Sequence, residues 1–130
     1  MYDRTTHSIR VCVEPFFMEE QSSPEDGRYV WAYRIQIQNR GLEPVQLKSR
    51  RWQITDAMGR MEEVQGIGVV GEQPLLAPGE AFEYTSGAPL STPSGIMSGA
   101  YYMVNASGES FEVEIPAFSL DSPYQPRNLN

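Results

Sequence analysis

The chain has 130 residues, enough for one domain, and its 40% apolar and 11% aromatic residues indicate a packed core and exclude a wholly disordered protein. Ten basic residues against seventeen acidic ones give a net charge of -7, which argues against general binding to nucleic acid. The single cysteine excludes an intramolecular disulfide, and the chain lacks both an apolar membrane span and a signal-peptide core, so we expect a cytoplasmic protein without membrane insertion.

The first half of the chain shows the alternation of apolar and polar residues that is typical of β-strands. The alternation begins at 9–13, is clearest at 29–37 and returns at 45–54, followed by a short strand at about 61–64. The phase of the third segment slips between Leu47 and Trp52, which predicts a β-bulge at that point.

Glycine and proline punctuate the second half. Segment 66–79 is predicted as an ordered loop, because Pro74 and Pro78 each remove a backbone donor and oppose a helix. The predicted elements that follow are a strand at 82–84, a loop at 86–95, a strand at 97–103, a turn at 105–108 and a strand at 111–115. Seven or eight short strands without a helix predict an all-β fold over 1–130, a single antiparallel β-sandwich of fibronectin type III or immunoglobulin type. Its tail from about residue 121 is expected to be frayed.

Tyr101 follows a glycine in a strand that is preceded by a leucine and a proline, which is similar to the tyrosine corner of fibronectin type III and immunoglobulin sandwiches. We therefore expect a structural role for it. Segment 101–104 is apolar on both faces, which indicates that one face is covered by a partner or by Phe16-Phe17-Met18.

A glycine motif invites a functional interpretation. Gly66, Gly68 and Gly71 match the spacing G-x-G-x-x-G, but no helix can readily follow and no acidic residue stands about twenty positions on, so the motif is not a dinucleotide-binding fingerprint. Two interpretations stay open. The glycines permit close backbone packing and positive φ, or their N–H groups form an anion-binding nest with Arg51 or Arg60 nearby.

Groups for bond chemistry are sparse. His7 is the only histidine and is expected at a strand end, and Cys12 is expected to be structural. No zinc-ligand spacing is present, and acidic pairs such as Glu112 and Glu114 fit a solvated strand face better than a cation site. We expect no enzyme, no metal site and no cofactor.

A basic group beside a tryptophan is the second candidate site. Lys48, Arg50 and Arg51 precede Trp52, an arrangement that suits an acidic partner or a stacked nucleobase, and equally a solvated strand with a core tryptophan. Arg50, Arg51 and Trp52 are therefore predicted as an interaction surface.

Several runs together resemble the bacterial ApaG family, and the resemblance covers almost the whole chain. The matching runs are Ser49-Arg50-Arg51-Trp52-Gln53-Ile54-Thr55-Asp56, Val64 through Pro74, Pro78-Gly79, Tyr84-Thr85-Ser86-Gly87, and Thr92-Pro93 through Gly99-Ala100-Tyr101-Tyr102-Met103-Val104. The resemblance implies a fibronectin type III-like sandwich without established enzymatic activity, a genetic link to cobalt resistance and magnesium efflux, and an adaptor role in related domains of F-box proteins and of a polymerase-delta-interacting protein. This chain departs from the family at two positions: it has Ile67 where the family commonly has an acidic residue, and Ala100 where the family often has a histidine. Both differences argue against metal ligands at these positions.

Two hypotheses of function follow. The first is a non-enzymatic domain that binds another protein, of unknown identity, within divalent-cation homeostasis. The alternative is a module that binds pyrophosphate or a nucleotide through the loop Gly66–Gly71.

Overall fold

The computed structural model describes residues 1–124. Its strands are β1 (Tyr2–Thr6), β2 (Ile9–Phe17), β3 (Tyr29–Asn39), β4 (Val45–Asp56), β5 (Met61–Ile67), β6 (Leu75–Leu76), β7 (Ala81–Leu90), β8 (Ser94–Asn105) and β9 (Ser110–Asp121). Two single turns of 3₁₀-helix, Glu19–Gln21 and Pro24–Asp26, lie between β2 and β3. Among residues 1–124, no helix is long and apolar enough to cross a bilayer.

The strands form two antiparallel sheets that pack face to face. The first sheet has the order β1-β2-β3-β7, and the second has the order β5-β4-β8-β9 with β6 pairing beside β5 on β4. Alternate residues of both sheets point inward, and the largest fully buried side chains are those of Trp31, Tyr101 and Phe118. The predicted antiparallel β-sandwich is confirmed.

The predicted bulge in β4 is confirmed, because the pairing of β4 with β8 shifts register between Leu47 and Ser49. Some boundaries were wrong, and two strands were missed. β5 extends to Ile67, the loop predicted at 86–95 shrinks to 91–93 between β7 and β8, and the strands β1 and β6 were not predicted. In the predicted tail, Asp121 belongs to β9 and Ser122 is buried, while 125–130 lie outside the described residues.

The two sides of the sandwich differ. On one side, β1 lies against β9: the Arg4 guanidinium is 2.6 Å from the Glu114 carboxylate, and the rings of Tyr2 and Phe118 are 6.0 Å apart. We call this the closed side. On the other side, the start of β5 and the end of β7 line one depression, and each of these strands pairs with a single neighbour among residues 1–124. We call this the open side.

Candidate functional site

Arg50 and the first glycine of the motif meet on the open side. Gly66 of β5 lies directly opposite Arg50 of β4, and the Arg50 guanidinium packs on its Cα, where a Cβ would be only 2.7–2.8 Å from the guanidinium atoms. The Arg50 Nη1 donates hydrogen bonds to the carbonyl oxygens of Gly68 at 2.8 Å and Ile67 at 3.3 Å. Gly66 therefore gives the arginine room to cross β5 and bind the loop that follows.

The second glycine is required by a close approach of the chain. Gly68 has a φ of +66°, and a Cβ at this position would be 2.2 Å from the Glu72 carbonyl oxygen. Its N–H donates to the Lys48 carbonyl at 2.9 Å, and the N–H of Val69 donates to the Glu72 carbonyl at 2.8 Å. Because these two donors already have partners within the chain, the geometry here favours the structural interpretation over an anion-binding nest.

Arg50 is the arginine that binds the carbonyl groups of this loop. Arg51 and Arg60, the two arginines predicted to lie near the motif, do not make these hydrogen bonds. Arg60 lies in the turn at the opposite end of β5, where its Nε is 3.4 Å from Asp56 Oδ2. Arg51 points to the outer face of the second sheet and is flanked by Glu112 at 3.6 Å and Glu63 at 4.0 Å. The expectation that Arg60 stands near the glycines is wrong, because β5 is long enough to separate its two ends.

A shallow hollow of about 400 Å³ lies on the outer face of the second sheet, over the bulge in β4. Ser49 and Ala100 contribute small side chains to it, while Ile67 and Tyr102 stand beside them with 78% and 43% of their surface exposed. Arg51, Gln65 and Glu112 add polar side chains to the lining, and atoms of Arg50, Gly66 and Tyr101 form the rest of it. The hollow thus combines an exposed aromatic ring, an aliphatic side chain and an arginine.

Trp52 lies on the inner face of the same strand and is only 3% exposed. Its ring packs edge-on against Tyr33 at 5.3 Å and Phe118 at 6.0 Å between centroids. Its Nε1 has no hydrogen-bond partner among the described residues. The three residues predicted as an interaction surface are therefore separated. Arg51 lies on the outer face of the second sheet, Arg50 crosses β5 over Gly66 on the inner face, and Trp52 belongs to the core.

The interior next to Arg50 contains a pair of buried phenols. The hydroxyls of Tyr84 and Tyr101 are 2.5 Å apart and join β7 of the first sheet to β8 of the second. Burial raises the pKa of both phenols above the ordinary value for tyrosine, and burial likewise raises the pKa of Tyr33. Tyr101 has the expected structural role, but its hydroxyl contacts a side chain of the facing sheet, whereas a tyrosine corner bonds upstream backbone.

The remaining candidates for chemistry are dispersed. His7 lies in the exposed turn between β1 and β2 with its ring edge-on to Phe111, and Cys12 is buried in β2. Glu112 and Glu114 face arginines, as a solvated sheet face predicts. Within residues 1–124, no three histidine, cysteine or carboxylate side chains are grouped so that they could hold a metal ion.

The family comparison agrees with this fold. The family model of the ApaG domain matches residues 19–105. Two curated relatives, both named Protein ApaG, come from Rhodospirillum centenum (66% identical over 124 residues, 95% of each chain) and Paramagnetospirillum magneticum (58% identical over 130 residues, 100% of each chain). The crystal structure of a Bordetella pertussis protein described as ApaA is 50% identical and has a TM-score of 0.88, covering 93% of this chain and 98% of that one.

Proposed function

This chain belongs to the ApaG family, and we propose that it is a protein-binding module that acts without catalysing a reaction, with the outer-face hollow as its docking surface. The observation that carries the proposal is the exposure of Ile67 and Tyr102 beside Arg51. Tyrosine and arginine are enriched among the residues that dominate binding energy in protein interfaces, and they act best around a concave centre.

The corresponding depression on the first sheet is different in chemistry. It surrounds Arg34, which like Arg51 lies between two carboxylates, Glu14 at 2.6 Å and Glu83 at 3.8 Å. Charged and polar side chains dominate its lining, and it lacks an exposed aromatic ring. This contrast supports the second sheet as the binding face, because exposed ion pairs alone contribute little to affinity.

The outward position of Tyr102 also bears on the apolar segment 101–104. Tyr101 and Met103 fill the core, and Tyr102 stays 43% exposed, while Phe16 lies on the other sheet and does not cover it. A bound protein would cover this ring. The genetic link of the family to cobalt resistance and magnesium efflux is compatible with this role, because an adaptor acts on cation flux through the protein that it binds.

The test is capture of bacterial proteins by the immobilised chain, with pairs of matched variants. Tyr102→Ser and Arg51→Ala alter the hollow, whereas Phe16→Ser and Arg34→Ala make the same changes on the first sheet at residues of similar exposure. We expect a reproducible partner that is lost with the first pair and kept with the second. A photo-crosslinking residue at Glu112, which lines the hollow from β9 and lies away from the β5 edge, should attach that partner, and its identity follows from mass spectrometry.

Two outcomes would contradict the proposal: no reproducible partner, or a partner that all four variants retain. The alternative ligand, pyrophosphate or a nucleotide, is tested by an amide-resolved NMR titration with pyrophosphate and ATP, with and without Mg²⁺. Saturable shifts centred on Gly66, Gly68 and Gly71 would require the N–H of Gly68 to exchange its present carbonyl partner for the anion. Such shifts would support the alternative.

A further inference from the structure

The free edge of β5 has a defined set of hydrogen-bonding groups. The Asp56 N–H donates to the Arg60 carbonyl and the Gly68 N–H donates to the Lys48 carbonyl, both at 2.9 Å, so the even-numbered residues of β5 face β4. Because these directions alternate along an antiparallel strand, the main-chain groups of the odd-numbered residues point to the free edge. These residues are Met61, Glu63, Gln65 and Ile67.

We infer that this edge pairs with β5 of a second copy of the chain, in an antiparallel register whose two-fold axis passes through Val64. In that register Met61 faces Ile67 of the second copy, Glu63 faces Gln65, and Val64 faces Val64. The outward main-chain groups of Met61, Glu63, Gln65 and Ile67 then meet those of the same four residues in the second copy. The Ile67 carbonyl, which accepts a hydrogen bond from Arg50 Nη1 at 3.3 Å, has a second lone pair for the Met61 N–H of the second copy. The inference concerns the edge of β5: it shares Gln65 and Ile67 with the lining of the hollow, and it leaves Arg51 and Tyr102 uncovered for the protein that the hollow binds.

Side-chain chemistry selects this register over its neighbours. An axis through Glu63 would place the two Glu63 carboxylates opposite each other, and like charges directly opposite in a sheet are destabilising. An axis through Gln65 would leave Met61 and Glu62 unpaired. Only the Val64 register pairs the whole strand, and it covers Met61 and Ile67, which are 63% and 78% exposed, with each other.

The charges of the inner face are also complementary in this register. Glu62 is exposed, and none of the ion pairs among residues 1–124 includes it. It would lie opposite Gly66 of the second copy, the residue on which the Arg50 guanidinium rests. Each copy thus offers an unpaired carboxylate where the other offers a guanidinium whose hydrogen bonds go to carbonyl groups.

The dimer would bring two copies of the hollow to one surface. A two-fold axis between antiparallel strands is perpendicular to the sheet, so both second sheets continue into one and both hollows lie on the same outer face. One short strand per copy forms a small interface. We therefore expect a dimer that dissociates on dilution, with a dissociation constant on the order of 10–100 µM.

The first experiment places a cysteine on the two-fold axis. In the proposed pairing, Val64 occupies a non-hydrogen-bonded position, where Cα atoms lie about 4.5 Å apart, within the range that a disulfide spans. Val64→Cys should give a disulfide-linked dimer under mild oxidation, while the control Thr85→Cys, on the free edge of β7, should stay largely monomeric. The native Cys12 is buried and does not interfere.

The second experiment measures the non-covalent equilibrium by sedimentation of the purified chain over roughly 10–500 µM. Gln65→Pro removes an N–H that points away from β4 and should weaken the dimer at least about tenfold without unfolding the protein. Thr85→Pro is the matched change on β7 and should leave the dimer intact. Glu62→Arg should weaken association, and adding Arg50→Glu should restore it in part.

A chain that is monomeric throughout that range overturns the inference, and so does a dimer that survives Gln65→Pro, because it would use another surface. These outcomes are distinct from failure of the proposed function. Sedimentation uses the pure chain alone, whereas partner capture is scored on Tyr102→Ser and Arg51→Ala, which leave the main chain of the β5 edge unchanged.

Discussion

The closed and open sides of the sandwich are held by different chemistry. On the closed side, Tyr2 packs against Phe118 and its hydroxyl accepts a hydrogen bond from the Ser119 N–H at 3.4 Å, so side chains of β1 shield β9. On the open side, the phenol pair and the Arg50 guanidinium lie between the sheets, and the outward edge of β5 pairs with no other strand among residues 1–124. An edge strand is therefore available for pairing on the open side, whereas side chains shield it on the closed side.

The largest expected effect comes from the loop that follows β5 on the open side and contains Gly68 and Gly71. Gly68→Ala should lower the free energy of unfolding by about 3 kcal/mol, because a Cβ would collide with the Glu72 carbonyl and a non-glycine residue is strained at this positive φ. Gly71→Ala is the control: its φ is +81°, but no atom lies within 4 Å of its Cβ position. It should cost only about 1 kcal/mol from backbone strain.

Urea unfolding of the two variants measures the difference. Equal losses would show that the collision at Gly68 is relieved by movement of the loop. The open side would then depend on backbone conformation alone, and the contrast with the packed closed side would weaken.

The buried phenol pair gives the next effect. Tyr84→Phe should cost about 1–3 kcal/mol, because the Tyr101 hydroxyl stays buried without its partner. The same pair makes stability depend on pH. Since burial raises the pKa of Tyr84 and Tyr101 in the folded state, the unfolded chain releases these protons first, and stability that is present below about pH 10 is lost as the pH rises.

Unfolding free energies between about pH 8 and 11 test this sign. The decline above pH 10 should be shallower in Tyr84→Phe, which has one phenol fewer to ionise on unfolding. A steeper decline in the variant, or a stability of the parent chain that rises with pH in this range, would contradict the assignment.

The strands that could be predicted are those with an apolar face. Alternation at 29–37 identifies β3 because its inward residues are buried along its whole length. β1 escapes prediction because Tyr2–Thr6 is mostly exposed and polar, and β1 becomes a strand by pairing with β2. The end of β7 resembles a loop because it contains Gly87 and Pro89, yet Pro89 is tolerated there because β7 has one free edge and the missing N–H points outward.

The candidate site was only partly predictable for a related reason. The sequence singles out the glycines and Arg50, Arg51 and Trp52 as two separate groups, since nothing local shows that Arg50 and Gly66 face each other. That contact depends on the register of β4 and β5. The bulge between Leu47 and Ser49 then sets which of these residues point inward, and it places Trp52 in the core and Arg51 on the hollow.

The smallest expected effect isolates the contact between Arg50 and Gly66. Gly66→Ala should cost about 1 kcal/mol, because the new Cβ meets only the end of a flexible arginine side chain, which must move and lose its hydrogen bonds to the loop. In an Arg50→Ala background the same substitution should cost almost nothing. A double-mutant cycle by urea unfolding measures this coupling.

The closed side supplies the comparison for this cycle. Arg4→Ala breaks an ion pair with Glu114 in which both side chains are at least half exposed, so it should cost less than about 1 kcal/mol and show no coupling to Gly66→Ala. Full additivity of Gly66→Ala with Arg50→Ala would contradict the role of Gly66 as the space through which Arg50 crosses β5. The inner-face charge match proposed for the dimer would then lose its guanidinium, because Arg50 would no longer rest where Glu62 of a second copy is expected.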